Sequence, residues 1–319
     1  MIPLIYVLIL NWNGKEDTLA CLSSLEKVTY PNFKVLVMDN GSKEDPSLEI
    51  SKSFPKTAFL QNGANLGYAE GNNRGIRYAL QNQADAVLLL NNDTIVSPNF
   101  LDPLVEAMQE KEKGGIFGSK SLQFYKENTL DHLGGFWENE KAEFICPHQN
   151  QKDQVLSPFE VDYASGCCLL LTRKVLEEVG FLDPRFFLLW EESDLCTRAK
   201  KKGFEIWMIP DSVIWHKVSA SFSGKPLLHY YWWRNRLLFI EKNFSFSERK
   251  KLYTSVVFWQ IVKEYRHLVC KSLQAFYYRI FFPEKWDAKR KLKYRRIQAG
   301  CRGIKDYFLR KFAGPIKVK

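Results

Sequence analysis

The chain has 319 residues, of which 45% are apolar. This is sufficient for one large or two modest domains with packed cores and argues against a disordered protein. No apolar run approaches the about 18 residues that cross a bilayer, and the apolar start of the chain lacks the basic lead and cleavage site of a signal peptide. The seven cysteines include no Cys-x-x-Cys pair, which predicts free thiols in a reducing compartment, the cytosol, and argues against a zinc site.

Charge is unevenly distributed along the chain. Residues 1–244 hold 26 Lys and Arg against 31 Asp and Glu, a net charge of −5. Residues 245–319 hold 20 against 5, a net charge of +15. The sequence therefore indicates an acidic body followed by a basic tail.

The first hundred residues alternate short β-rich runs with helical patterns, which is typical of a mainly parallel sheet covered by helices. The predicted strands are 4–10, 33–38, 57–60 and 86–90, and the predicted helices are 15–25, 46–53 and 69–81. Further along, the pattern predicts a helix from Pro98 to about Lys111, a short strand over 115–118, a hairpin or meander within 120–160, a strand over 167–171, a helix over 173–179, a strand over 205–209 and only helices from Pro226.

Three predicted strands end in a polar side chain, namely Asn11, Asp39 and Asn91. The carboxyl ends of parallel strands meet at one edge of a sheet, where ligands bind, so these side chains should form one polar wall. Asp93, at the end of Asn91-Asn92-Asp93, is placed where a hard cation and a phosphate could sit. Plain turn chemistry is the alternative. The glycines of the loop 62–73 would let backbone approach a ligand closely, but no Gly-Lys-Ser/Thr follows, so it is not a Walker loop.

A second acidic feature lies at a predicted helix start, where Glu191, Glu192 and Asp194 fall within four residues. Crowded carboxylates raise one another's pKa, which suits a general base. The alternative is an exposed helix N-terminus stabilised by the helix dipole.

Seven spaced segments, taken together and in this order, closely resemble inverting family 2 glycosyltransferases of the GT-A fold, in particular the bacterial rhamnosyltransferase-like branch that builds surface polysaccharides. The segments are 11–14, 37–42, 65–69, 91–93, 165–166, 190–195 and His216. The resemblance covers roughly residues 3–240. It implies an α/β fold with a Rossmann-like, mainly parallel sheet and flanking helices, a catalytic domain over 1–240 and a basic helical tail over 241–319.

The resemblance also implies the donor site. Its donor would be a dTDP- or UDP-sugar, with Asn11 and Asp39 holding the nucleoside and Asp39 accepting from the base. The remaining residues that the resemblance assigns to the nucleotide sugar are Asn13, Asn65, Gly67, Asn92 and Asp93.

A divalent metal, Mn²⁺ or Mg²⁺, is implied at the position of the family's DxD motif. Asp93 would be the ligand there, although Asn91 replaces the usual first Asp. His216, in a Trp-His-x-x-Ser pattern over 215–219, would supply a second ligand and would favour Mn²⁺, because Mg²⁺ prefers oxygen. A purely structural histidine is the alternative.

The family places its catalytic base in a Glu-Asp-x-Asp motif, which here is Glu191-Glu192-Ser193-Asp194. The resemblance assigns the base to Glu192, one methylene longer than the usual Asp, with Asp194 next and Glu191 third. Trp190 and Gly166 are assigned to the acceptor. Stacking of Trp190 on a sugar face competes with core packing.

The basic tail admits several interpretations. Its cations and interleaved aromatics are found at 249–251, 289–293, 295–296, Phe281, Phe282, Trp286 and Tyr294. They suit a helix lying on an anionic membrane, which would place the enzyme in the cytoplasm as a peripheral protein of the inner face of the cell membrane. Solvated helix faces and a homodimer contact are alternatives. No nucleic-acid motif accompanies the charge, and we expect no nucleic-acid partner.

The sequence thus predicts a cell-envelope glycosyltransferase. It would move a hexose, rhamnose being one candidate, from a nucleotide sugar to a hydroxyl of a glycan or lipid-linked acceptor with inversion. The alternatives are a sugar nucleotidyltransferase, which should carry a basic Gly-rich loop after the first strand where this chain has Asn11-Trp12-Asn13-Gly14, and a non-catalytic membrane-associated scaffold of the same fold.

Overall fold

The computed structural model describes residues 2–217, 225–312 and 314. They fall into two compact units. The first is drawn from 1–136, 144–187 and 191–218, and the second from 137–143, 188–190 and 219–319. The second unit thus begins before residue 240, and the assignment of a catalytic domain to 1–240 and of a tail to 241–319 stays a prediction.

The first unit is an α/β structure built on a mixed sheet. The strands of the described residues are β1 (Ile5–Asn11), β2 (Phe33–Asp39), β3 (Ala58–Gln61), β4 (Ala86–Asn91), β5 (Thr94–Val96), β6 (Gly114–Gln123), β7 (Leu130–His132), β8 (Phe136–Glu138), β9 (Glu143–Ile145), β10 (Phe159–Glu160), β11 (Cys168–Thr172) and β12 (Glu205–His216). The main sheet has the order β10-β12-β6-β11-β4-β1-β2-β3, with β5 added to β12 and β7 to β6, while β8 and β9 pair separately. The run β4-β1-β2-β3 is parallel, and β11 is antiparallel to both of its neighbours.

The described residues contain ten α-helices, of which the first six belong to the first unit and the last four to the second. They are α1 (Lys15–Leu25), α2 (Ser47–Ser53), α3 (Gly67–Gln81), α4 (Leu101–Glu110), α5 (Arg173–Glu178), α6 (Glu191–Lys201), α7 (Pro226–Asn243), α8 (Phe246–Leu252), α9 (Phe258–Phe281) and α10 (Ala288–Phe308). A π-helical turn, Tyr253–Val257, joins α8 to α9.

The core of the first unit lies on both faces of the sheet. In β1, Tyr6 and Leu8 point to the layer that includes α3 and α6, whereas Val7 and Ile9 point to the layer that includes α1 and α4. Successive side chains of a strand point to opposite faces, and both faces are covered here. The first and fourth strands therefore read as unbroken apolar runs rather than alternating ones.

The predicted order of strands and helices through the first hundred residues is confirmed, and the differences lie further along. The helix predicted to open at Pro98 begins at Leu101, because residues 97–100 form a turn in which Phe100 donates to the Ser97 carbonyl. The short strand predicted over 115–118 extends to Gln123. Its polar residues are compatible with burial because they are bonded, as in the 2.7 Å contact between the Ser119 and Ser212 hydroxyls.

The strand predicted over 205–209 is likewise longer and ends at His216. Its pairing with β6 shifts register between Ile209 and Val213, around Pro210. The apolar pattern of the sequence ends at this irregularity, whereas the strand continues beyond it. The meander predicted within 120–160 contains β7, β8, β9 and β10.

The second unit is helical. Helix α10 lies against α7 at Gly300 and Gly303, and a Cβ at Gly303 would come within 2.3 Å of the Tyr230 carbonyl oxygen. The Tyr230 hydroxyl donates to Asp306 over 3.0 Å, which joins the same two helices. The Asn235 amide of α7 donates to the carbonyls of Leu188 and Leu189, each over 2.8 Å. No helix of the described residues is long and apolar enough to cross a bilayer.

Candidate active site

The register of the parallel strands brings the polar strand ends together. Asn11 pairs in register with Asp39, and Leu10 pairs with Asn91, so all three polar ends lie at one edge of the sheet. The Asn11 amide nitrogen donates to Asp39 Oδ1 over 2.7 Å. The predicted polar wall is therefore present.

Asp39 is fully buried, and its carboxylate is the acceptor at the centre of a small network. Oδ1 accepts from the Ser42 hydroxyl over 2.6 Å as well as from Asn11, and Oδ2 accepts from the Ser42 N–H over 3.0 Å. Burial by itself would raise the pKa of Asp39, but these hydrogen bonds outweigh it and the pKa is lowered. The carboxylate is thus held charged against the neighbouring loop, and its predicted contact with the base stays a prediction.

Replacing Asp39 by Ala should lower the free energy of unfolding at neutral pH by about 2–4 kcal/mol, because buried donors of Asn11 and Ser42 lose their acceptor. A carboxyl with a lowered pKa stabilises the fold above its unfolded pKa, and this contribution disappears as the pH falls through the folded value. Urea unfolding of both proteins at neutral and acid pH measures the effect. A difference in stability that does not shrink on acidification would contradict this account.

The loop between β3 and α3 is fixed by side-chain amides. Asn65 Oδ1 accepts from the Gly67 N–H over 2.9 Å and from the Asn40 amide over 3.2 Å. Gly67 has φ +78°, and a Cβ there would lie 2.5 Å from the Phe187 carbonyl oxygen, so only glycine fits. The glycine is required here by close packing against Phe187, and the approach of this backbone to a ligand stays a prediction.

The two remaining predicted donor-site amides are engaged with neighbouring backbone. Asn92 donates to the Gly14 carbonyl and to the Thr18 hydroxyl, each over 3.1 Å, which ties the strand end to the start of α1. Asn13 is exposed, has φ +54°, and accepts from the Lys43 N–H over 2.9 Å. Both lie at the polar edge, and their roles toward the nucleotide stay predictions.

Asp93 and His216 are brought together by the sheet itself. Strand β5 follows Asp93 directly and pairs with the end of β12, with Thr94 opposite His216 and the Lys217 N–H donating to the Asp93 carbonyl. His216 Nε2 lies 3.2 Å from Asp93 Oδ1, and Nδ1 lies 2.8 Å from Asp131 Oδ2. Val218 and Ser219, the last residues of the Trp-His-x-x-Ser pattern, lie outside the described residues.

This cluster lies at the protein surface but is largely shielded. The side chains of Asp93, His216 and Asp131 are 16%, 17% and 12% exposed. Burial would lower the pKa of His216, but the two carboxylates, Asp131 first, raise it to about 11. Asp131 orients the ring through Nδ1, and Nε2 faces Asp93. A cation bound between Nε2 and Asp93 would take the place of the Nε2 proton, with Asp131 as the carboxylate behind a metal-binding histidine.

The donor set fits a divalent cation that also binds a diphosphate. One carboxylate and one imidazole nitrogen lie side by side, and such cations are commonly held by one or two protein groups together with substrate phosphates. In the described part of the chain, no group of three or more His, Cys, Asp and Glu side chains is placed to hold a metal by itself. Phosphate oxygens and water would have to complete the coordination.

Glu192 lies in the first turn of α6, and its carboxylate is buried. Its Oε2 is inaccessible to solvent and has no hydrogen-bond partner in the described residues. Burial raises its pKa above the ordinary value of 4.5, while hydrogen bonds from the backbone N–H groups of Glu192 itself, Gly166 and Ser193 act in the opposite direction. A desolvated carboxylate with a raised pKa is well suited to accept a proton from a hydroxyl.

Of the other two acidic residues of this turn, Asp194 is held by an ion pair and Glu191 is buried. Asp194 is fully buried and pairs with Arg198 Nε over 2.8 Å, and the same guanidinium donates to the Val179 and Phe181 carbonyls. Glu191 is 3% exposed. The paired Asp194 is a weaker candidate base than Glu192, and the ranking of the three stays a prediction.

The predicted acceptor residues occupy confined positions. Trp190 is only 8% exposed and packs on Phe239, with ring centroids 5.1 Å apart, which is the contact of a core residue. At Gly166 a Cβ would lie 2.9 Å from the Tyr68 hydroxyl, which itself donates to the Gly166 carbonyl over 2.6 Å. Whether either residue contacts an acceptor stays a prediction.

The sequence analysis missed Asp131 and gave no role to Tyr68 or Ser42. Asp131 lies in the stretch 120–160, where the strands are too short to give a clear period, and only its contact with His216 reveals it. Ser42 and Tyr68 were within recognised segments, but a hydroxyl shows its partner only once the chain is folded.

The match to known families agrees with this fold. Residues 6–180 match the model of glycosyl transferase family 2, which is more than half of the chain. The chain therefore belongs to that family, and the protein is a glycosyltransferase with a GT-A-type α/β fold.

Curated relatives carry related activities. The chain is 27% identical over 274 residues to the low-salt glycan biosynthesis hexosyltransferase Agl10 of Haloferax volcanii, covering 81% of this chain and 83% of that protein. It is 27% identical over 232 residues to the N-acetylglucosaminyl-diphospho-decaprenol L-rhamnosyltransferase of Mycobacterium tuberculosis, covering 65% of this chain and 74% of that protein. It is 24% identical over 248 residues to the dTDP-rhamnosyl transferase RfbF of Shigella flexneri, covering 75% and 80%.

Solved structures show the same fold at low sequence identity. The mannosyltransferase PcManGT from Pyrobaculum calidifontis, in complex with GDP-Man and Mn²⁺, has a TM-score of 0.60 at 12% identity, covering 98% of this chain and 88% of that one. GalNAc-T7, with UDP, GalNAc and Mn²⁺, has a TM-score of 0.60 at 16% identity, covering 75% and 48%.

Proposed function

We propose that this chain is an inverting, metal-dependent hexosyltransferase of cell-envelope polysaccharide synthesis. It would transfer a hexose, with rhamnose as the first candidate, from a dTDP- or UDP-sugar to a hydroxyl of a glycan or lipid-linked acceptor. The observation that carries the proposal is the buried carboxylate of Glu192, whose pKa is raised by desolvation, in a family 2 glycosyltransferase. Rhamnose is supported by the Mycobacterium and Shigella relatives, which are named as rhamnosyltransferases.

The proposed chemistry is a single displacement. Glu192 Oε2 accepts the proton of the acceptor hydroxyl as its oxygen bonds to the anomeric carbon, and the bond from that carbon to the diphosphate breaks with inversion. Asp93 and His216 Nε2 would hold a divalent cation, which when bound neutralises charge on the departing diphosphate. Asp131 orients His216, and the Asn65–Gly67 loop would contact the nucleotide. Mn²⁺ is the first candidate because imidazole is one of the donors.

The proposed location is the inner face of the cell membrane, with the protein peripheral in the cytoplasm. All seven cysteines lie among the described residues and are free thiols, which agrees with a reducing compartment. The basic residues 245–319 would attract an anionic surface.

A donor panel tests the activity. Purified protein should bind dTDP-rhamnose or a UDP-hexose more tightly with Mn²⁺ than with a chelator, and should transfer the sugar to an acceptor with inverted anomeric configuration, read by NMR of the product. A retained configuration would overturn the single displacement. Metal-independent binding would overturn the cation's role, and the absence of both transfer and donor hydrolysis across the panel would favour the scaffold alternative.

A further inference from the structure

Helix α9 presents an unusually large uncovered apolar surface within the second unit. Of its 24 residues only Ala275 is buried. Side chains that are between 40% and 65% exposed recur along its length, namely Phe258, Tyr265, Val269, Leu273, Phe276 and Ile280. A helix of this length extends about 36 Å, so the surface is continuous over a distance comparable to a small domain.

The spacing of these six residues places them on one face. Their separations are three, four or seven residues, so at 100° per residue they fall within an arc of about 80°. Trp259 and Tyr277, also exposed, lie beside this arc. We call the eight side chains the α9 face. Contiguous apolar surfaces of this kind mark sites of interaction rather than ordinary solvent-exposed helix.

The charges around the α9 face are of one sign. Lys263, Arg266 and Arg279 are exposed cations of the same helix. The single carboxylate of α9, that of Glu264, contacts His229 of the second unit, with Oε1 lying 2.7 Å from His229 Nε2. The chain from 245 to 319 carries a net charge of +15, so a second copy of the same surface would meet repulsion, whereas an anionic surface would be attracted.

We propose that the α9 face docks on a membrane of anionic phospholipid, with the helix axis in the plane of the headgroups. The apolar side chains enter the boundary between headgroups and acyl chains, and Lys263, Arg266 and Arg279 meet the lipid phosphates. The aromatic residues Trp259 and Tyr277 suit the same depth, because their rings are apolar with one polar atom. This narrows the membrane contact predicted for residues 241–319 to one face of one helix.

This inference deepens the proposed function, since a lipid-linked acceptor would be found at that surface. It does not depend on catalysis, because vesicle binding requires neither donor nor acceptor. A failure of the donor panel and a failure of membrane docking are therefore separate outcomes.

The test is sedimentation of the full chain with phosphatidylcholine vesicles that contain or lack phosphatidylglycerol. The unaltered protein should bind the anionic vesicles, bind the neutral ones much less, and lose affinity as salt is raised. Leu273→Glu combined with Phe276→Glu should weaken binding at least about tenfold, because it removes two inserted side chains and adds two like charges.

The matched control is Leu48→Glu combined with Val155→Glu. It introduces the same two charges at exposed apolar positions of the first unit. Its affinity for vesicles should therefore fall only by the small amount that two added negative charges cause anywhere on the protein. A second variant, Lys263→Gln with Arg266→Gln, should reduce the salt dependence while leaving the apolar surface intact. Equal thermal unfolding of all variants shows that the fold is preserved.

Three results would overturn the inference. The first is that the unaltered chain does not bind anionic vesicles, and the second is that the α9 variant binds them as well as its control does. The third is that the unaltered chain is a dimer which the α9 variant dissociates while vesicles are not bound, in which case the α9 face joins two copies of this chain.

Discussion

Replacing Glu192 by Gln should lower the rate of sugar transfer at least about 100-fold and leave donor binding unchanged, because the amide keeps the shape of the side chain but cannot accept the proton. Steady-state transfer rates and a donor titration with Mn²⁺ measure the two effects separately. Glu178→Gln, at an exposed position of α5, is the matched control and should retain full activity. Full activity of the Glu192 variant would remove this residue as the base.

The same substitution should make the protein more stable at neutral pH. A carboxyl whose pKa is raised by folding destabilises the fold once the pH rises above its unfolded value, since the unfolded chain then ionises more readily. Gln carries no charge, so its melting temperature should exceed that of the unaltered protein at neutral pH, and the difference should vanish in acid. Asp194→Asn should have the opposite effect on stability, because it breaks the buried pair with Arg198.

The pH dependence of the transfer rate provides a third test of Glu192 as the catalytic base. Activity should fall on the acid side of a midpoint above 4.5, since only the ionised base accepts a proton. The groups that face Glu192 are Tyr68 and Tyr163 from other parts of the chain and Cys196 from α6 itself. The pKa values of all three are raised by burial, so they stay neutral where the base titrates. An acid limb at or below 4.5 would contradict the burial of this carboxylate in the working enzyme.

Replacing Asp93 by Ala should weaken Mn²⁺-dependent binding of the nucleotide sugar at least about tenfold, because residues that merely orient a metal ligand already cost 10–100-fold when removed. Titration calorimetry with Mn²⁺ and with a chelator gives the metal-dependent part. Asp131→Asn should produce a smaller loss, since Asp131 reaches the cation only through His216.

The control for this series is Asp211→Asn, which removes an exposed carboxylate from the same strand as His216. It should bind the donor as the unaltered protein does. If Asp93→Ala showed equal donor affinity with and without Mn²⁺, and that affinity matched the unaltered protein with Mn²⁺, the metal assignment would be wrong.

The sequence predicts the fold well where one rule dominates. Strands buried on both faces, such as β1 and β4, appear as apolar runs, and the polar residues at their ends locate the edge of the sheet. It predicts poorly where burial is compensated by hydrogen bonds. In the polar half of β6 and the bent β12, Ser119 is bonded to Ser212 and Ser121 donates to Asp131, which no apolar pattern reveals.

The candidate site was predictable to a similar degree. Asp93, His216 and Glu192 were identified from motifs, but Asp131 was not, because its partner is 85 residues away and lies on a different strand. The sequence also could not predict which carboxylate is paired with a cation. Glu191, Glu192 and Asp194 cannot be told apart by residue type, and only the fold shows that Asp194 is paired with Arg198.

The pairing of β5 with the end of β12 has a consequence for how the donor is bound. Because backbone hydrogen bonds hold Thr94 opposite His216, the two proposed ligands meet whether or not a cation is present. Fixing the backbone of each residue costs roughly 1–2 kcal/mol of entropy, and here that loss occurs on folding rather than on binding. The site is thus preorganised, so that a one-residue deletion within 210–212 would turn His216 to the other side of the strand and abolish the pair without altering either side chain.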